Sequence, residues 1–212
     1  MANLTTTQVL DDALLNIQDN STNMRSRFLN WLNNAIQDLA IERDWQCLQV
    51  SVELPVVNNS LTKPADYGRA VQIRNASTDS QKWCVTTQHK LSDVEHANFK
   101  NRNITDAITW TEDANSIIFT NTLPYSSATL VYIPHLSTYA DGDTIPFPVT
   151  FSNYFQRAIL TTYYEWEMDE RLPQSYKMLA DNLKALKHME NQLQLARAGY
   201  SQTFGLVNTD AR

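Results

Sequence analysis

Between Trp31 and Val57 the chain reads WLNNAIQDLAIERDWQCLQVSVELPVV, and its apolar period changes halfway along with no glycine or proline at the change. Phe28, Trp31, Leu32, Ala35, Ile36 and Leu39 recur at the three-and-four spacing of a helix buried on one face. From Leu48 the period becomes two. Leu48, Val50, Val52 and Leu54 alternate with Gln49, Ser51 and Glu53, the mark of a strand with one wet face. The spacing therefore predicts a helix to about Arg43 and a strand from about Leu48. Trp45, at the change, is expected to pack as a core aromatic between helices and sheet.

The same reading extends along the chain. Val9, Leu10, Ala13, Leu14 and Ile17 give an apolar face from about Thr6 to Gln18, with hydroxyl caps in TTTQ, and DNSTN is a cap-rich joint before the next helix. In the middle third, RAVQIR, KWCVTT, AITWT, SIIFTN and ATLVYIP have the β-branched and aromatic content of short antiparallel strands. NNS, KPADYG, NASTDSQ and DANS punctuate them as turns. LSDVEHANF, at about 91–99, reads as one short helix among the strands. After YADGDTIPFP the helical period returns, with Phe151, Phe155, Ala158, Ile159, Thr162 and Trp166 on one face. Beyond Leu172 and Pro173 a second long helix carries Tyr176, Leu179, Leu183, Leu186 and Leu193. The expected fold is α+β: a helical bundle from N- and C-terminal helices, about 5–45 and 150–199, with an antiparallel β lobe inserted at about 48–134. The helices at the two ends of the chain can then bury their apolar faces only on each other. A single domain over 1–200 is expected, then an extended tail at 201–212, because Gly199, Gly205, Asn208 and Thr209 do not continue a helix.

Charge and composition exclude several kinds of function. The formal net charge is -6 and no Lys/Arg cluster exists, which argues against a grip on nucleic-acid phosphates. Four glycines in 212 residues cannot build a phosphate-cradling loop. MANLTTTQVLDD has no basic start and no window of about 18 apolar residues occurs, so neither signal peptide nor membrane span is expected and the protein is expected to stay in the cytosol where it is made. Cys47 and Cys84 lack zinc-ligand spacing and read as buried, reduced thiols. His89, His96, His135 and His188 are dispersed, with no ligand partner at metal spacing. No nucleophile signature is present. Catalytic residues, cofactor and metal are all expected to be absent.

The sharpest charged feature is Glu165, Glu167, Asp169 and Glu170. On a continuous helix Glu165 and Asp169 would share one face and Glu167 and Glu170 another. Two carboxylates in one cleft would suit a peptidoglycan-cleaving glycosidase, but nothing else supplies a sugar cleft, and a solvated helix end is the simpler reading. Tyr125, Tyr132, Tyr139, Tyr163 and Tyr164 would mark a carbohydrate- or protein-binding face if exposed; half-buried packing is the simpler reading for most.

The run LNNAIQDLAIERDWQCLQVSVELPVVNNSLTKPADYGRAVQIRN resembles the head-to-tail adaptor proteins of tailed bacteriophages. The matching positions are Trp45 and Leu48 between helix and strand, Pro64, Asp66 and Tyr67 before the next strand, Val131 to Pro134 at the end of the lobe, and the long helix from Leu172 to Tyr200. Lys63 departs from the pattern, which usually has a hydrophobic residue before the proline. The resemblance implies a structural, non-enzymatic virion protein made in the host cytoplasm and placed at the head-tail junction. It implies a ring, usually of twelve copies, that joins the portal protein to the tail nozzle or tail tube and lets double-stranded DNA pass without sequence-specific binding or membrane contact. Glu165, Glu167, Asp169 and Glu170 would then suit a channel wall that repels phosphate. Tyr200, Phe204, Leu206 and Val207 would suit a tail that clasps the portal. A peptidoglycan-cleaving virion enzyme and a host-binding or decoration module are the alternatives.

Overall fold

The computed structural model describes residues 3–19, 21–75, 84–85, 110–119 and 126–197. The fold is mixed α+β, with antiparallel strands inserted between N-terminal and C-terminal helices that pack together. The described helices are α1 (Thr6–Ile17), α2 (Thr22–Glu42), α3 (Ser152–Trp166) and α4 (Leu172–Arg197). The described strands are β1 (Asn3–Thr5), β2 (Val50–Pro55), β3 (Ser60–Thr62), β4 (Tyr67–Asn75), β5 (Cys84–Val85), β6 (Trp110–Glu112), β7 (Ser116–Phe119), β8 (Ser127–Pro134) and β9 (Thr144–Pro148). Two compact units result, one from residues 1–39 with 138–212 and the other from residues 40–137. The short helix expected at 91–99 lies outside the described residues.

The helical unit follows from its caps and stripes. Thr5 accepts the Gln8 N–H at 3.3 Å while the Gln8 side chain accepts the Thr5 N–H at 3.0 Å, a reciprocal box that starts α1. Ser21 Oγ accepts the Met24 N–H at 3.3 Å and starts α2. The predicted stripes are buried: Val9, Leu10, Ala13 and Leu14 on α1, Phe28, Leu32, Ile36 and Leu39 on α2, Phe155, Ala158 and Ile159 on α3. The α4 stripe is buried less fully than its period implies, since Leu186 is covered but Tyr176 and Leu193 remain exposed. Helices α3 and α4 run antiparallel, tied by Thr161 Oγ1 and Ser175 Oγ at 2.7 Å and by the Asn182 amide donating to the Asn153 carbonyl at 3.4 Å.

Strands β1 and β9, which the sequence reading did not separate from helix and loop, form a two-stranded antiparallel ribbon. Ile145 and Phe147 point from β9 into the core, and the Phe147 ring lies 5.1 Å from Phe151 and 5.2 Å from Phe155. The loop before β9 is held by polar side chains. Asn33 exchanges two hydrogen bonds with the Tyr139 backbone, at 3.0 and 2.8 Å. Thr6 Oγ1 donates to the Ala140 carbonyl at 2.9 Å and accepts the Gly142 N–H at 2.8 Å. Gly142 has φ 96, a conformation that suits glycine. The Arg25 guanidinium bridges Asp11 and Asp141, and this pairing holds the Asp141 carboxyl below the usual carboxylate range.

In the other unit, the strand order β2-β8-β4-β5 makes a four-stranded antiparallel sheet, and β3-β7-β6 makes a three-stranded one. Leu61, Trp110, Ile117 and Phe119 from the smaller sheet share one core with Tyr67, Ile73, Leu130 and Tyr132 from the larger. The predicted alternation on β2 holds from Ser51 to Leu54, with Val52 and Leu54 half-buried and Ser51 and Glu53 exposed, but fails at the start, where Val50 is exposed and Gln49 half-buried. Asn58 and Asn59, with φ 49 and 61, make the two-residue turn between Val57 and Ser60. Asp113 closes the DANS turn by accepting the N–H groups of Asn115 and Ser116 at 2.8 and 2.6 Å.

The helix does not pass straight into the strand. It stops at Glu42, Trp45 is fully buried, and a single turn of 3-10 helix (Gln46–Leu48) precedes β2. Arg69, on β4, terminates α2: its guanidinium donates to the carbonyls of Ala40 at 2.8 Å and Arg43 at 3.0 Å and to the Asp44 carboxylate at 3.0 Å. The Ala40 carbonyl is one that a helix end leaves without a partner, the Arg43 carbonyl just beyond also accepts the Trp45 N–H at 3.0 Å, and a cation at such an end is favoured.

Two stability predictions arise. Arg69→Ala should destabilise the protein by about 1–2 kcal/mol in urea unfolding, with Arg69→Lys recovering only part because it lacks the planar fork; an unchanged midpoint would contradict the clamp. Asp141→Asn should cost about 1 kcal/mol at neutral pH, a value kept low because both partners are about one-third exposed. The Asp141 pKa is depressed in the fold, so its contribution is present above the unfolded carboxylate pKa and disappears as pH falls through the lower folded value. The stability gap between wild type and variant should therefore close below about pH 4.

Candidate functional site

Of the residues that carry the resemblance, Pro64, Asp66, Tyr67 and the Val131 to Pro134 segment meet at one turn. The Tyr67 N–H donates to the Pro64 carbonyl at 3.1 Å, and the Asp66 carbonyl accepts the His135 N–H at 2.8 Å. The Asp66 carboxylate accepts the Tyr132 hydroxyl at 2.9 Å, and the Tyr67 and Tyr132 rings stack at 5.8 Å. Gly68 permits this closure, because a Cβ there would lie 2.7 Å from the Ile133 carbonyl oxygen. Lys63, just before the proline, packs against the same turn. Its ammonium sits 4.7 Å from the Tyr67 ring centre, pairs with Glu112 at 3.0 Å and donates to the Asp113 carbonyl at 2.6 Å. This motif fastens β4 to β8.

The acidic run lies at the corner between α3 and α4. Helix α3 ends at Trp166, so the four acids do not lie on two faces of one helix as their spacing suggested. Met168 takes the left-handed conformation at φ 54, its N–H donates to the Glu165 carbonyl at 3.2 Å, and the Asp169 N–H donates to the Tyr164 carbonyl at 2.9 Å. That pair of bonds is a Schellman cap, with methionine where glycine is usual. Asp169 accepts the Arg171 N–H at 2.8 Å and binds the Arg171 guanidinium, which holds its carboxyl down at about 2. Arg171 in turn lies 4.5 Å above the Tyr164 ring. Glu165, Glu167 and Glu170 remain exposed.

Beside this corner is a groove of 160 Å³ between α2, α3 and α4. Trp31, Tyr154 and Tyr176 give it aromatic walls, and Asp38 and Glu165 give it two carboxylates. Neither carboxylate is ion-paired among the described residues. Burial, followed by the charge of Glu165, raises the Tyr176 phenol above its ordinary pKa. The corner carries three exposed apolar side chains, Trp166, Met168 and Tyr176. Sequence reasoning missed both groove and corner. Its available signal was EWEMDERLP, a helix stop before Leu-Pro with no glycine to make it.

Other candidates resolve differently. Tyr132 and Tyr164 are buried and Tyr139 and Tyr163 half-buried, so they do not form an exposed aromatic face; Tyr125 lies outside the described residues. Cys47 is exposed rather than buried, because it falls on the outer side of the 3-10 turn. His135 and His188 are exposed, while His89 and His96 lie outside the described residues. Among the described residues no three ligating side chains are grouped for a metal, and no helix is long and apolar enough to cross a membrane. Tyr200, Phe204, Leu206 and Val207 also lie outside the described residues.

No curated protein matches the chain. A family model, described as SU10 adaptor protein, matches residues 4–204. That span holds both units and the Pro64 to Tyr67 turn together with the β8 segment that closes on it. The chain belongs to the SU10 adaptor protein family of phage head-to-tail adaptors.

Proposed function

We propose that this protein is a structural subunit of the head-tail junction, one copy in an adaptor ring, expected to be of twelve, that joins the portal to the tail nozzle around the DNA exit channel. The observation that carries the reading is the family match over residues 4–204. The charge pattern agrees with it: a net charge of -6, with Glu167 and Glu170 exposed, suits a wall that DNA passes without sticking. Asp169, neutralised by Arg171, contributes less to such a wall. That pairing also removes one candidate acid-base group from a glycosidase reading. The helical unit serves as the subunit-to-subunit and portal-facing body, and the β lobe faces outward or toward the tail.

The segment 201–212 supplies the portal clasp in this reading, with Tyr200 leading into it and Phe204, Leu206 and Val207 as apolar anchors. Burying two or three such side chains gains roughly 3–6 kcal/mol before the ordering entropy is subtracted, and repetition around a ring multiplies the effect. Deleting residues 201–212 should leave the melting temperature nearly unchanged while abolishing attachment to DNA-filled heads. Normal occupancy of the truncated protein would overturn the clasp. Electron microscopy of virions carrying a labelled copy should place the label at the portal vertex, and a label elsewhere on the particle would overturn the adaptor reading itself. Before assembly the subunit should be monomeric at micromolar concentration by light scattering, since like charges oppose ring closure without a template.

A further inference from the structure

Met168 is held where neither its backbone nor its side chain is favoured. It occupies the left-handed position of the Schellman cap, φ 54, which glycine takes without steric cost. It is also 92% exposed, so its side chain gains nothing from the core. Gln18 takes a similar position after α1, but an exposed glutamine carries no apolar surface into water. An apolar side chain fixed in a strained turn and presented to solvent points to a contact made outside the chain.

The surroundings define that contact. Trp166 is 49% exposed and steadied by Arg27, 4.6 Å above its ring, and by Trp31 at 6.4 Å. Trp, Tyr and Met are the side chains enriched at interface centres, and rigid ones lose little entropy when covered. The adjoining groove has Asp38 and Glu165 with three aromatic rings and no cation in its lining. An arginine complements it best, since a planar guanidinium can stack on a ring while donating to both carboxylates. Exposed Glu167 and Glu170 add the same sign around the corner and disfavour DNA or an acidic partner. A second copy is also disfavoured. It carries the same net charge of -6, which like-charge repulsion sets against a groove that offers two carboxylates.

We infer that the α3–α4 corner and its groove seat an arginine-bearing, otherwise apolar segment of a second virion protein, with the arginine between Asp38 and Glu165 and its apolar neighbours on Met168 and Trp166. This rests on the adaptor reading. The test places the photo-cross-linker p-benzoylphenylalanine at position 168 in assembled virions and identifies the attached peptide by mass spectrometry, with the same probe at exposed Leu15 as control. The expected product joins position 168 to an arginine-containing peptide of another virion protein, and the Leu15 probe does not give it. A cross-link between two copies of this chain, to DNA, or to nothing while the protein is present at the junction would overturn the proposal alone. Absence of the wild-type protein from virions would overturn the adaptor reading as well. In parallel, Met168→Gly should leave the melting temperature of the free protein nearly unchanged yet lower its occupancy on virions, and Asp38→Asn with Glu165→Gln should lower occupancy roughly tenfold at unchanged fold. Normal occupancy in both variants would also refute it.

Discussion

The last carbonyls of α2 point beyond the helix with no further turn to receive them, and the Arg69 guanidinium answers them from a strand that follows 25 residues after Asp44. That arrangement depends on how β4 begins. Tyr67 pairs with Pro134 and Arg69 with Ile133, so three residues of β4 span two of β8, a bulge at Gly68. In a regular strand, residues 67 and 69 would point to the same face. The bulge separates them, sending the Tyr67 ring into the core shared by the two sheets and leaving Arg69 free to reach α2. Gly68 makes the bulge possible because any side chain would collide with the Ile133 carbonyl. One close approach between two strands thus fixes where a helix stops.

This explains what the sequence between Trp31 and Val57 could and could not disclose. Helix and strand were both legible, because their apolar periods differ and each period reflects burial on one face. The stop at Glu42 was legible to within a residue from the change of period, but its cause was not, since that lies at Arg69. Ribbon β1–β9 was hidden for another reason. Ile145 and Phe147 alternate as strand residues should, but Pro146 between them and Pro148 after them weaken a strand reading, and only a short edge pairing tolerates prolines there. The caps at Thr5 and Ser21 and the turns at Asn58–Asn59 and Asp113 were legible because their partners lie within a few residues. The groove was not legible, because Asp38, Tyr154 and Tyr176 come from three helices.

The family resemblance can be understood in the same terms. Proline-aspartate before a strand is common turn chemistry, and a tyrosine in a late strand is ordinary. Their combination is less so. Asp66 receives the Tyr132 hydroxyl, Tyr67 stacks on that ring, and the Asp66 carbonyl takes the His135 N–H. These residues lie far apart in sequence and close one junction, so a weak motif at each end records a single three-dimensional contact. Lys63 joins the same contact from before the proline, its ammonium lying over the Tyr67 ring and pairing with Glu112. None of these contacts bears directly on what the protein binds, which is why recognition of the family and identification of its binding face draw on different residues.

Glycine scarcity sharpens the meaning of Met168. With four glycines in 212 residues, the chain places Gln18, Asn58, Asn59 and Met168 in left-handed backbone. The folded-state cost is about 1 kcal/mol for a residue with a Cβ, and less for asparagine. Against it, replacing glycine restricts the unfolded chain and recovers about 0.4–1 kcal/mol. The two effects nearly cancel, so left-handed backbone alone gives no reason to look for function at Gln18 or the asparagines. The exposed thioether separates Met168 from the rest. A polar side chain would satisfy the same balance without putting apolar surface in water, and the cap hydrogen bonds involve only backbone, so they do not require methionine. What remains unexplained within the subunit is the side chain itself, and beside it stand an exposed tryptophan and two carboxylates without ion-pair partners among the described residues.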